Sequence, residues 1–307
     1  MKKSVLVIAL AFGVTGAFAQ DLTSKKGEPI LPEAEDWAIS MDATPIFNYV
    51  GNAFNGSTAN SAPGTNWLNT DQTIIGKKFI DEKSAYRVLV RIGFTNETTK
   101  AMIADATVTT APVYPAVPSM VEDKFKVRNT KIAVGLGKEF RRGKTRLQGY
   151  YGADAMIWIA SGKTLYDYGN ALSTSPAVGV AGNSTNFGSN LVNDSYGNAA
   201  RVTETKSGMT FGLGVRGFIG AEYFIFPKIS IGAEYGWGIG FQTTGKGKTT
   251  VESIGGATPA VGSIETETSG SSKFGFDTDM NNNTIFGWNG SGTGVNGSGS
   301  MRVTFHF

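Results

Sequence analysis

Glu222 and Glu234 stand in the same four-residue context, Gly-Ala-Glu-Tyr. Two carboxylates at a suitable separation could perform glycoside hydrolysis. Arg216 shares their face of the local alternation, so an ion-pair network is the favoured reading. His306 is the single histidine. As a general base it would need a nucleophile and an orienting acid, and no Ser/His/Asp set stands at matching strand positions. The chain has no cysteine, which removes thiol nucleophiles, disulfides and Cys-based metal sites. One histidine cannot supply the pairs or triads that most zinc hydrolases use. Gly-Lys-Gly-Lys at 245–248 lacks the spacing of a phosphate loop before a helix. Asp277, Asp279 and Asn281 to Asn283 resemble a calcium loop, but Asn282 and Trp288 replace its Gly and Glu. Asn96-Glu97-Thr98 and Asn193-Asp194-Ser195 match the glycosylation triplet, a short pattern that carries little weight alone. No catalytic residue, cofactor or metal is therefore expected, and the chain is not expected to be an enzyme.

The elements that would position these charges are strands. In Ala85–Phe94 the even positions are Tyr86, Val88, Val90, Ile92 and Phe94. In Met209–Ile225 one face is largely apolar and the other carries Gly212, Gly214, Arg216, Phe218, Gly220, Glu222 and Phe224. In Ile229–Phe241 every odd residue is apolar or aromatic, and the even ones are Ser, Glu or Gly. This period of two marks strands with two unlike faces. Weaker copies fall at Asp36–Ala43, Thr73–Ile80, Lys131–Phe140, Arg146–Ala160 and Ser298–Phe307, which makes eight. A stretch at 272–288 would raise the count to ten if it forms a further hairpin. Short connections at 81–84, 141–144 and 226–228 alternate with long polar ones near 51–70, 98–124, 163–206 and 244–297. The expected fold is all-β: an antiparallel up-and-down transmembrane barrel with short periplasmic turns and long extracellular loops. Pro45 marks a short helical or bulged break near 42–50.

Length and charge agree with this class. There are 28 Lys+Arg and 25 Asp+Glu, for a net charge of +3, which argues against a dedicated nucleic-acid binder. Glycine takes 41 of the 307 positions, an excess suited to crowded sheet surfaces. Residues 1–19 read as a secretory signal: Lys2 and Lys3, an uncharged run, then Ala17-Phe18-Ala19. Cleavage after Ala19 would leave residues 20–35 as a periplasmic segment and 36–307 as the barrel. Beyond the signal no run of 18 apolar residues occurs, so a membrane role requires a closed barrel.

Which face meets lipid decides the rest. Glycine on the polar face suits a narrow interior better than a wet exterior, where it would only weaken the strand. Large aromatics stand near strand ends: Phe79, Tyr86, Phe140, Tyr223, Phe226, Phe305 and Phe307 by the short turns, and Phe94, Phe211, Trp237 and Phe241 toward the long loops. They are expected to form two interfacial girdles. The opposite face becomes the lumen, collecting Arg87, Arg91, Arg146, Arg216 and Arg302 with Glu139, Asp154, Glu222, Glu234 and His306. Eight strands leave room only for side chains, and an unpaired buried charge costs several kcal/mol. The charges are therefore expected to cross-link a filled lumen; the alternative is a selectivity constriction.

Asp36–Pro45 with Asn48–Asn52, Thr73–Phe79, Leu147–Ala153 and the hairpin Gly220–Tyr235 resemble small porin-like outer-membrane β-barrel proteins of Bacteroidota. The chain's end, Met301–Phe307, resembles their C-terminal targeting strand, with Phe307 last. The resemblance implies residence in the bacterial outer membrane, contact with outer-membrane lipid, and insertion by the barrel assembly machinery. It implies no agreed activity and carries no catalytic residue. The expected role is structural or surface-interacting, with any protein or glycan partner meeting the extracellular loops. A narrow channel for ions or small solutes lined by Arg87, Arg91, Arg216 and Glu222, and an accessory subunit of a larger outer-membrane complex, are the alternatives.

Overall fold

The structure is a computed structural model that describes residues 22–58, 60, 73–108, 110, 112–173, 191–277 and 299–307. The signal-peptide expectation lies outside the described residues. The fold is all-β and antiparallel. Its strands are β1 (Trp37–Asp42), β2 (Ile74–Asp81), β3 (Ser84–Ala104), β4 (Met120–Arg142), β5 (Leu147–Asp167), β6 (Leu191–Asn193), β7 (Ala199–Lys206), β8 (Thr210–Phe226), β9 (Ile229–Thr244), β10 (Gly247–Gly255), β11 (Ala260–Thr268), β12 (Ser271–Asp277) and β13 (Gly299–His306). Among the described residues, no helix is long and apolar enough to cross a membrane.

The pairings return to their start. β1 pairs with β2, β2 with β3, β3 with β4, β4 with β5, β5 with β8, β8 with β9, β9 with β13, and β13 with β1. At the seam, Trp37 and Phe307 exchange both N–H···O bonds at 2.8 Å. Closure leaves this part of the sheet without an exposed edge.

Local chemistry sets the tight turns. Asp81 Oδ1 accepts the Lys83 N–H at 2.7 Å and Asp81 Oδ2 accepts the Ser84 hydroxyl at 3.0 Å, pinning the β2–β3 turn. Pro227 and Lys228 join β8 to β9, and Lys228 adopts φ +62°. That left-handed value is uncommon for a residue with a Cβ. The segment before β1 packs at this same turn end: Ile30 is buried, and the Asp36 carboxylate accepts a hydrogen bond from the Lys228 ammonium.

Regions expected as loops contain strands. β3 and β4 stay in register far past Phe94, to Ala104 opposite Met120. β7 pairs with β5, β6 and β10, and β10 with β11. Ile103, Ala106, Leu172, Ala200 and Val251, on these ribbons and their connections, are buried. These ribbons escape the sequence reading because Thr, Lys and Glu occupy both of their faces, so no apolar alternation announces them. The break at Pro45 is an α-helix, α1 (Thr44–Phe54), with proline in its first turn. Proline is tolerated there because its missing N–H is not needed.

The closing strand has an unexpected construction. β12 and β13 both run antiparallel to β9, on different stretches of it. Asp277 faces Gly238 and Gly299 faces Tyr235. Three positions along β9 thus correspond to 22 along the closing chain. The two segments divide one side of β9 between them. The expected hairpin at 272–288 falls partly outside the described residues. Its described part is β12, which lengthens the β9–β10/β11 hairpin.

Candidate functional site

Alternation sends one set of side chains into the ring. From β2 these are Ile75, Lys77 and Phe79; from β3, Ala85, Arg87, Leu89 and Arg91; from β4, Ala133, Glu139 and Arg141. β5 adds Gln148, Tyr150, Asp154, Met156 and Trp158; β8 adds Arg216, Phe218, Glu222 and Phe224; β9 adds Ser230 and Glu234; β13 adds Arg302, Thr304 and His306. All are buried.

The charges form a connected lattice centred on Arg87. Its guanidinium lies 3.2 Å from Glu139, 3.4 Å from Asp154 and 3.0 Å from Glu234, and stacks 3.8 Å from the centre of the Phe218 ring. Lys77 reaches Glu139 at 2.8 Å. Arg141 bonds Glu139 at 3.0 Å and also pairs with Glu222. Arg216 reaches Glu234 at 2.7 Å and Asp154 at 3.4 Å, and Arg302 approaches Glu234 at 3.9 Å. Each carboxylate has at least one cation, as burial demands.

The structure thus brings together Arg87, Glu139, Asp154, Arg216, Glu222, Glu234 and Arg302. Arg91 also faces inward. Arg146 is a correction: it precedes β5 and donates to the Phe224 and Ile225 carbonyls at 3.3 and 3.2 Å. It has the inward parity of β5 but sits past the strand's end, in the turn region. Lys77 and Arg141 are members of the lattice that the sequence reading does not find. Lys77 is masked by its neighbour Lys78, and Arg141 falls in an expected turn. Continuing the parity of Ile75 and Glu139 by two residues is the signal that locates both.

Phe79 is the second correction. It is completely buried inside the ring, 5.2 Å from the Arg141 guanidinium and 5.6 Å from the His306 ring. The other expected girdle residues, Tyr86, Phe140, Tyr223, Trp237, Phe241 and Phe305, are exposed on the outer face. Val88, Ile92, Leu136, Ile157, Leu213, Val215, Ile219 and Ile239 are exposed with them. So large an apolar exterior is not that of an ordinary water-soluble monomer.

His306 packs beside Phe79 and Phe224. Its Nε2 lies 3.3 Å from the Ser230 hydroxyl, which donates to Glu222 Oε2 at 3.2 Å. Serine bridges the acid and the imidazole here. A catalytic triad instead places histidine between the other two. His306 Nδ1 has no hydrogen-bond partner and Ser230 is wholly buried. Among the described residues, no cluster of His, Asp and Glu could hold a metal ion.

Glycine completes the interior packing. A Cβ at Gly212 would fall on the Trp158 indole, one at Gly152 would lie 2.6 Å from Phe218 Cζ, and one at Gly220 would strike the Tyr150 ring. Each pair is in direct cross-strand register. The bulky partner comes from the adjacent strand of the same ladder. Beyond the ionic lattice, Ile75, Leu89, Ala133, Met156 and Trp158 form an apolar layer.

Outside the ring, a cavity of about 430 Å³ lies among Asp194, Tyr196, Asn198, Ser253, Gly255 and Gly262. Burial raises the Asp194 pKa, but hydrogen bonds from the Asn198 side chain and N–H, Ser253 and the Tyr196 N–H outweigh it, holding the carboxyl down at about 2. Asp194 therefore organises its own loop.

No protein-family model matches the chain, and no curated protein matches it. A solved structure with some similarity is the crystal structure of a major outer membrane protein from Thermus thermophilus. The identity is 10%, the TM-score 0.23, and the match covers 89% of this chain and 100% of that one.

Proposed function

We propose that the chain is an eight-stranded transmembrane β-barrel of the bacterial outer membrane, exported by residues 1–19 and inserted by the barrel assembly machinery. One observation carries this reading: a closed ring whose outer face is apolar and whose interior is a buried ion-pair lattice. Strands tilted in a membrane need about 9–11 residues to cross the apolar core, and β3, β4, β5, β8 and β9 all exceed that length. Only a closed sheet satisfies strand backbone groups in lipid.

The protein acts without catalysis, as a structural or surface-interacting element. Lipid contacts the ring, and the ribbons of β3–β4 and β7–β10–β11 meet whatever protein or glycan partner it has. A filled interior supports this reading over the channel: Arg87, Phe218, Tyr150 and Trp158 point into the ring and are each 3% exposed or less. The test is planar-bilayer recording of the folded protein, with insertion verified by heat-modifiable gel migration. Inserted protein without current above baseline is expected. Discrete conductance steps would establish the channel instead.

A further inference from the structure

The carboxylates of the lattice are well served. Glu139 meets Lys77, Arg87 and Arg141, and Glu234 meets Arg87, Arg216 and Arg302. Asp154 meets Arg87 and Arg216, and Glu222 meets Arg141. The cations are not equally served. Among the described residues, the ionic contact of Arg302 is Nη2 to Glu234 Oε1 at 3.9 Å, an oxygen already held by Arg216 at 2.7 Å. Arg302 Nε and Nη1 are buried and have no hydrogen-bond partner, and the side chain is only 10% exposed. Asp42, opposite Arg302 on β1, is half-buried and has an interaction of its own.

A guanidinium cannot shed its proton to escape this situation. Buried charge without a partner must find a counter-ion. Five cations of the lattice, Lys77, Arg87, Arg141, Arg216 and Arg302, face its four buried carboxylates. The surplus has a direction. Arg216 and Arg302 are each 8% exposed, whereas Lys77, Arg87 and Arg141 are 3% or less. The more accessible side of the lattice is therefore cationic.

We propose that Arg302, with Arg216 beside it, forms an anion site inside the ring that takes a phosphate-type oxyanion. Two guanidiniums sharing one carboxylate oxygen leave N–H groups for the forked bonds that phosphate accepts. The same chemistry is offered by free inorganic phosphate and by a lipid phosphate. The site rests on the filled-lumen reading and adds to it the missing counter-charge.

The experiment uses full-length protein folded in zwitterionic detergent at constant ionic strength. Inorganic phosphate is added in one arm, and phosphatidic acid is doped into the micelles in the other. At ten times its Kd, the ligand should raise the wild-type Tm by about 2–3 °C. Arg302→Gln should abolish that rise and be no less stable than wild type without the ligand. The control, Arg146→Gln, should keep the rise. A rise in the lipid arm alone identifies the lipid source. An equal rise in R302Q is a general salt effect and overturns the site, as does no rise in either arm. Loss of stability by R302Q in phosphate-free buffer overturns the surplus-charge argument. Independently of the variant, broadening of the ³¹P resonance of inorganic phosphate, or of phosphatidic acid in the lipid arm, by wild-type protein tests the site directly; if neither line broadens, the site is refuted. Bilayer recordings without current remain compatible with either result, so the site and the filled lumen fail separately.

Discussion

Gly212→Ala should destabilise the folded ring out of proportion to the one methyl group added. Gly212 faces Trp158 directly across the β5–β8 ladder, and an ideal Cβ at 212 falls on indole atoms Cε2, Cζ2 and Nε1. Trp158 is 1% exposed and belongs to the apolar layer with Ile75, Leu89, Ala133 and Met156, so it has little space into which to retreat. Overpacking of this kind costs about 1–3 kcal/mol. Rotation of the indole would also break the Trp158 Nε1–H bond to Gln242 Oε1 at 3.3 Å, worth about 1 kcal/mol net. The loss is therefore about 2–4 kcal/mol. The assay is a urea titration of protein folded in lipid vesicles, read by the heat-modifiable gel shift. Trp158→Leu supplies the second arm: it leaves a cavity alone, but in the double variant it makes room for the methyl. The cycle should show at least about 1 kcal/mol of favourable coupling. If G212A is as stable as wild type, or if the two losses add, the pairing of small and large residues across the ladder does not explain the glycines.

Arg87→Met removes a cation that touches Glu139, Asp154 and Glu234, and should cost about 3–5 kcal/mol in the same urea titration. Lys100→Ala, which breaks a solvated pair with Glu122, should cost under about 1 kcal/mol. Asp194 has a folded pKa of about 2 against an ordinary 3.8, so its contribution is complete above the ordinary value and is lost as pH falls through the folded one. Protease cleavage near Tyr196 should stay flat from neutral pH down to about 4 and rise below that, and Asp194→Asn should cleave readily at neutral pH. Deleting Phe307 removes both 2.8 Å backbone bonds with Trp37, so the deletion should lower the yield of heat-modifiable protein in the membrane fraction.

How much of this was legible follows from where water lies. In β8 and β9, lipid-facing and interior residues differ so sharply that Phe211–Tyr223 and Ile229–Phe241 show the alternation outright. The ribbon at Thr98–Ala104 and Glu122–Asn129 is exposed or half-buried on both faces except at Ile103 and Asp123, so its sequence lacks the contrast that burial of a whole face would impose. Parity alone puts Arg87, Glu139 and Glu234 on the interior face, and the register between strands brings them into contact. Arg146 cannot be excluded that way, because parity says nothing about where a strand stops. Phe79 misleads for a related reason. An aromatic near a strand end fits an interface, but Phe79 shares the parity of Lys77 and is the apolar floor beneath Arg141. The division of β9 between β12 and β13 has no sequence signal, since a register jump depends on the partner strand.

That division has a consequence for how the molecule tolerates change. Each half of the closing strand holds its own set of rungs, so neither ladder fixes how many residues join them. Splicing extra residues between Asp277 and Gly299 leaves every rung of Phe274–Phe241 and Val303–Ile231 where it was. The wall thus carries a splice point away from its hairpin tips, suited to displaying a foreign epitope or accumulating natural length variation while the eight residues of the last strand still seal the cylinder.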